Sequence, residues 1–224
     1  MNFAAKHTVH ALIGINILLF LLQMTGMHGL ITHGALYTPL SPYYQHWQWF
    51  SHMFLHQDLL HLLMNMYGLA VFGTPLLQVW GVRRFLTLYF AAGLLGALLY
   101  GGWNTWLLMQ AAAALPPDTA LPPSFTALLL RHAVGASGAV FGILAAFSLR
   151  FPHTRLSLMF IPVDFPARYF VLALVAYELF AQISGISLFG AHIAHLAHIG
   201  GALAGWLLAL WWRQRRSGSL HLVK

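Results

Sequence analysis

Six predominantly apolar stretches, at about 9–25, 54–72, 85–102, 133–149, 168–185 and 191–212, succeed one another along the chain with almost no charge inside any of them. Each approaches the ~20 residues that a helix needs to cross a bilayer. Within hydrocarbon a segment must satisfy its own backbone hydrogen bonds, which a helix does. The pattern therefore predicts an all-α, polytopic membrane protein with six spans. A soluble globular alternative is excluded by composition, since 59% of the 224 residues are hydrophobic and only 7% are charged. No internal repeat and no separate soluble domain interrupts the series, so residues 1–224 read as a single six-span domain. The first stretch is too uninterrupted, and too poor in a small-residue cleavage site, to read as a removed signal peptide, and is expected to be an anchor.

The basic residues give an orientation, because cytoplasmic loops retain positive charge. With the N-terminus inside, Lys6, Arg83, Arg84, Arg150, Arg155, Arg168, Arg213, Arg215, Arg216 and Lys224 all fall on the cytoplasmic side, and Arg131 alone falls outside. Both termini are then cytoplasmic, and a bacterial inner (cell) membrane is the expected location. The same division accounts for the net charge of +7 without nucleic acid as a partner; the run Arg213-Gln214-Arg215-Arg216 would hold the last helix against anionic headgroups of the lipid bilayer. Two long connectors remain. Residues 103–132 contain Pro116-Pro117-Asp118 and Leu121-Pro122-Pro123, which cannot continue a helix. Residues 27–52 contain Tyr43, Tyr44, His46, Trp47 and Trp49, as expected of a segment at the membrane interface. The absence of cysteine rules out a disulfide, a thiolate metal site and a cysteine nucleophile.

Polar residues inside such spans need a reason. Ser137 lies in Gly135-Ala136-Ser137-Gly138-Ala139-Val140-Phe141-Gly142 at the start of the fourth stretch; His61 and Asn65 lie in the second; His198 precedes Gly201 and Gly205 in the sixth. Counted from the external ends of their stretches, Ser137, His61 and His198 share a depth of roughly 5–10 Å at ~1.5 Å per residue, shallow enough for water to reach. A serine hydroxyl is a weak nucleophile until a base within ~2.6–3.2 Å takes its proton. Gly138 and Gly142, and Gly201 and Gly205, are each four apart and would let the fourth and sixth helices approach closely enough. Either pair alone reads more readily as a simple packing motif. His61 and Asn65, at i and i+4, share a helical face and could donate to the oxygen of a tetrahedral intermediate, with the Ser137 backbone N–H as a third donor; a pair gluing helices together is the competing reading.

His192, His195 and His198 recur every third residue, about 300° per step, so the three cannot all face one partner. The glycines that follow it favour His198 as base, with His195 the fallback and His192 interfacial. Apart from Asp58, at the external end of the second stretch, Glu178 is the only carboxylate within a predicted span. An intramembrane acid is a functional candidate, yet a protonated, hydrogen-bonded glutamic acid would also tolerate the position. Asp58 and Asp118 fall in external segments and are expected to be solvated or capping.

Taken in order, Phe50-Ser51-His52-Met53-Phe54-Leu55-His56-Gln57-Asp58-Leu59-Leu60-His61 with Asn65, then Gly135-Ala136-Ser137-Gly138, then Ala197-His198-Ile199-Gly200-Gly201 with Gly205, resemble the rhomboid family of intramembrane serine proteases over essentially the whole chain. The resemblance implies a six-helix bundle, a Ser137/His198 catalytic dyad without a third acid, and an oxyanion site at His61, Asn65 and the Ser137 backbone. It implies no cofactor and no metal, and substrates that are themselves membrane-spanning helices, cleaved near their external ends. It also places the 27–52 connector in the membrane beside the site and makes the fifth span a mobile neighbour of the substrate path. One departure stands out: Leu77-Gln78 precede Gly81 where the family commonly has an acidic residue, so a polar tether is expected to be missing. The alternative from another class is a histidine-rich protein that binds or transports metal or haem through His52, His56, His61, His192, His195 and His198. That reading leaves Ser137 and Asn65 without a role, and no His-Glu-x-x-His string is present. A non-catalytic helix-binding chaperone on the same scaffold would be indifferent to loss of Ser137.

Overall fold

A computed structural model of the chain describes residues 3–26, 29–116, 119–158, 161–188 and 194–218. Among these residues the long helices are α1 (Phe3–Met24), α2 (Leu59–Gly68), α3 (Thr74–Ala113), α4 (Ser137–Arg150), α5 (Ala167–Ser184) and α6 (His195–Gly218). His7–Met24, Leu59–Ala113 and Ala167–Ser184 are long and apolar enough to cross a membrane, and Ser137–Arg150 is a shorter apolar helix. The chain is thus a helical, multi-pass membrane protein.

Helix α2 passes through a π turn at Leu69–Gly73 directly into α3. The second and third apolar stretches are parted instead at Gly81, whose φ of 76° and ψ of 170° kink α3 near its start. A Cβ at Gly81 would meet nothing within 4 Å, so glycine is required there for its backbone freedom and not for space. Leu77, at the departure noted above, is buried in the apolar core with Leu76, Phe85, Leu88 and Tyr89. An acid at that site would need a buried partner.

Several boundaries differ from those expected: α3, for one, continues to Ala113, beyond the 102 expected for the third stretch and into the 103–132 connector. The fourth helix begins at Ser137 and not at 133, because Ala133 is spent on a strand and Gly135 adopts φ 131°; hydropathy does not separate an apolar strand from an apolar helix. The serine accordingly sits at the helix N-terminus, which removes the depth counted from residue 133. The second helix begins at Leu59, with Asp58 as its cap, accepting from the His61 N–H at 2.8 Å. The sixth stretch, expected from 191, is helical from His195; His192 lies outside the described residues, as do Asp118 and Lys224.

The aromatic connector before α2 folds back on itself. Trp47 Nε1 and Gln48 Nε2 donate to the His33 carbonyl at 2.9 and 3.2 Å, Gln48 Nε2 also reaches the Tyr43 carbonyl at 2.8 Å, and Ser51 Oγ donates to the Gly34 carbonyl at 2.7 Å. From this connector β1 (Leu36–Tyr37) pairs antiparallel with β2 (His132–Ala133), just before Ser137. The Gly135 N–H donates to the His52 carbonyl at 2.8 Å, and the side chain of Met53 lodges against Gly93 of α3. On the other side of α4, β3 (Arg155–Leu158) and β4 (Ile161–Pro166) form an antiparallel hairpin that hydropathy did not predict.

Helices α3, α4 and α6 form the tightest packing. A Cβ on Gly201 would collide with the Gly138 carbonyl, and one on Gly205 with the Gly142 carbonyl. A Cβ on Gly200 would stand 2.8 Å from the Leu95 carbonyl oxygen, and one on Gly96 would stand 2.5 Å from that of Ala197. In lipid there is no water to expel, so such close approach is what holds helices together. Gly205→Val should therefore lower the thermal midpoint in detergent and abolish any activity that needs α4 and α6 in contact. Gly102→Ala, in a helix with nothing within 4 Å of its Cβ, should be neutral or stabilise by roughly 0.5–1 kcal/mol. Differential scanning of the two variants checks this, and equal effects would contradict the packing assignment.

Candidate active site

Ser137 opens α4 and His198 lies on the first turns of α6, and the glycine contacts set these two helix ends side by side. His198 Nε2 and Ser137 Oγ are 2.8 Å apart, although 61 residues separate them. The imidazole lies flat on Phe141, with ring centroids 4.2 Å apart and planes inclined by 5°. Phe141 follows Ser137 by one turn of α4, so one helix supplies both the hydroxyl and the plate on which the imidazole rests. Its spacing from Ser137 was visible in the sequence, but an apolar aromatic in an apolar helix carries no signal of that contact.

Behind the imidazole, Glu178 of α5 places Oε2 3.0 Å from His198 Nδ1 and 2.6 Å from His195 Nδ1. The contact with His195 is a well-directed hydrogen bond. That with His198 is short but oblique, and leaves Nδ1 without an aligned partner among the described residues. At i and i+3 two histidines do converge on one oxygen, where sequence reasoning had stressed only that three cannot. His195 is accordingly turned to Glu178, not to Ser137.

On the opposite side stands His61. A Cβ built on Gly135 would lie 2.7 Å from His61 Cε1 and Nε2 and 3.6 Å from Ser137 Oγ, so the imidazole edge covers Gly135 next to the hydroxyl. Gly135 is needed twice over, for its positive φ and for this contact. Asn65, one turn on and buried, donates from Nδ2 to the His61 carbonyl at 3.0 Å. One of its two N–H groups is thereby used, and the other remains. The Ser137 N–H occupies the first turn of α4, where helix N–H groups have no intrahelical acceptor.

Glu178, His195 and His198 are also the one set of potential metal ligands that comes together among the described residues, their ligand atoms lying within 4.8 Å of one another. The remaining histidines of the connector do not join it. His52 Nδ1 is taken by the Gln48 carbonyl at 2.7 Å. His56 is fully buried, edge-on to His61 at 5.1 Å, with both ring nitrogens unpartnered among the described residues. Its backbone is clamped by Gln23 of α1, which donates to the His56 carbonyl at 2.8 Å and accepts from the His56 N–H at 3.2 Å.

The molecule is thus a multi-pass helical membrane protein with a serine hydroxyl on an imidazole at the meeting of two glycine-rich helices. Comparison with known proteins places it further: the family model described as the Rhomboid domain matches residues 43–215, and the chain belongs to the rhomboid family. It is 34% identical over 152 residues to Rhomboid protein 1, mitochondrial, of Saccharomyces cerevisiae, covering 68% of this chain and 38% of that one. It is 29% identical over 168 residues to Presenilin-associated rhomboid-like protein A, mitochondrial, of Danio rerio, covering 72% and 38%. This alignment spans well under half the length of those relatives. Membership supports a function of the intramembrane-protease type.

Outside the long apolar helices, burial pushes His52 down to about 4 and His56 down to about 3, the latter helped by the neighbouring His61. Between those values and the ordinary 6.5, the unfolded chain binds more protons than the folded one, so stability rises with pH. The thermal midpoint in detergent should therefore fall as pH is lowered from 6.5 towards 4. A midpoint that holds or rises over that interval would contradict the burial of these two imidazoles.

Proposed function

We propose that this chain is an intramembrane serine endopeptidase that hydrolyses peptide bonds in or near the transmembrane helices of membrane-protein substrates. The observation that carries this is the 2.8 Å contact between Ser137 Oγ and His198 Nε2, within the range at which a base activates a hydroxyl. His198 takes the hydroxyl proton through Nε2 as Oγ attacks the scissile carbonyl, then returns it to the leaving amine. Water hydrolyses the resulting acyl-enzyme by the same exchange. The Ser137 N–H, His61 and the free N–H of Asn65 hold the oxygen that becomes negative, and such preorganised donors usually supply the largest share of the acceleration.

The fold and the charge pattern support six spans with both termini on the positively charged, cytoplasmic side. A bacterial inner membrane was expected for it, whereas the relatives named above are mitochondrial; the sidedness proposed here rests on the Lys/Arg asymmetry alone. A second reading has one observation in its favour, the Glu178, His195 and His198 cluster, which a divalent ion could bridge. A metal there would occupy the base, so the two readings separate on chelation.

Cleavage of a reporter carrying a transmembrane helix, assayed in proteoliposomes, tests the proposal. Ser137→Ala and His198→Ala should each abolish turnover in folded protein, and Asn65→Ala should lower it roughly ten- to a thousandfold. Chelator should change nothing. Turnover that survives Ser137→Ala, or that chelation removes, would overturn the serine mechanism; loss with His195→Ala but not His198→Ala would reassign the base.

A further inference from the structure

Glu178 is the one acidic residue that α1 to α6 carry, and it is not spent on the surface. Its side chain is 5% exposed, and a single oxygen meets Nδ1 of both His195 and His198. A buried carboxylate is costly unless charged or donating groups surround it, and the groups surrounding this one are the base and the histidine one turn before it. An imidazole that carries its proton on Nδ1 leaves Nε2 bare, and a bare Nε2 is what receipt of the Ser137 proton requires.

We infer that Glu178 is a positioning residue for the base: it fixes the Nδ1–H tautomer of His198 and stabilises the imidazolium formed when Nε2 takes the serine proton. This rests on the serine-protease reading above. The unequal contacts fit the role. At rest the aligned bond runs to His195, and the oblique 3.0 Å contact with His198 strengthens as positive charge appears on that ring, an interaction worth more in the transition state than in the ground state. His195 shares the carboxylate, holds it in place and competes for it. The dyad thus acquires a third member, supplied by α5, the helix next to α6 in sequence.

Among the described residues the ionisable groups around His198 are few. Glu178 faces it from α5, with Tyr177 beside it at 6.2 Å from the His195 ring; His195 comes from α6, Ser137 from α4, and His61 from α2, whose ring edge covers Gly135 next to the Ser137 hydroxyl. From α3 the stretch 92–96 that meets this part of α6 has no ionisable side chain.

The test is the rate at which a fluorophosphonate modifies Ser137 as a function of pH, with the thermal midpoint of each variant measured alongside. In folded Glu178→Gln the rate should drop by up to about ten-thousandfold, the loss seen when an amide replaces the carboxylate that orients the base of a serine triad. The acid limb should also move to lower pH, since the imidazolium has lost its counter-charge. A purely structural role would lower the midpoint and leave rate and limb of the folded fraction as in the parent; that result overturns the inference. If Glu178→Gln does not fold, His195→Phe decides: a carboxylate released to His198 alone should move the acid limb to higher pH, and an unmoved or lowered limb overturns the inference. Parent protein that is not modified at Ser137 at all would instead remove the protease reading beneath it.

Discussion

Backbone-to-backbone contact between α4 and α6 is the constraint on which the remainder of the structure depends. In a bilayer the lipid tails are as apolar as leucine, so helices gain nothing by hiding apolar side chains from one another and adhere through close packing. Gly138 and Gly142 meet Gly201 and Gly205 with no room for a methyl group at either of the latter. Ser137 precedes the first of these glycines by one residue and His198 precedes Gly201 by three, so the contact that joins the helices also fixes the separation of hydroxyl and imidazole. Residues that would loosen the interface would, by the same geometry, part the nucleophile from its base.

A second set of restraints acts from the connector before α2. The β1–β2 pair and the bond from the Gly135 N–H to the His52 carbonyl hold the residues before Ser137 in a short strand and a positive-φ turn, so that α4 starts at the serine and its N–H lies in the first turn, without an intrahelical acceptor. Met53 lodged on Gly93 and the Gln23 clamp on His56 tie that connector to α3 and α1. Much of the polar capacity of the connector is therefore spent on positioning the site, although both ring nitrogens of His56 stay unpartnered among the described residues; the His61 ring stands over Gly135, next to the hydroxyl.

The helices and the Ser137 to His198 contact were legible in the sequence because each depends on a one-dimensional property: a run of apolar residues long enough to span, and a polar residue out of place beside small ones. What escaped depends on contacts across the chain. Ala133 and Gly135 are as apolar as the helix they precede, so their diversion into a strand and a positive-φ turn left no mark on hydropathy. Phe141 is one aromatic among many until His198 is seen to lie on it. Glu178 was recognised as out of place, but its choice of partners depended on how α5 rotates against α6, which no local spacing encodes. The three-residue spacing of His192, His195 and His198 tells only that all three cannot face one partner; that His195 and His198 converge on Glu178 depends on how α5 lies against α6.

The central claim is that the packing of α4 against α6 sets His198 to activate Ser137 as a nucleophile. Mass-spectrometric mapping of the fluorophosphonate adduct on the intact chain in lipid nanodiscs tests it most directly. A single adduct on Ser137, absent from His198→Ala, is the predicted result. No adduct in folded protein, or an adduct on another serine such as Ser41 or Ser51, would contradict it.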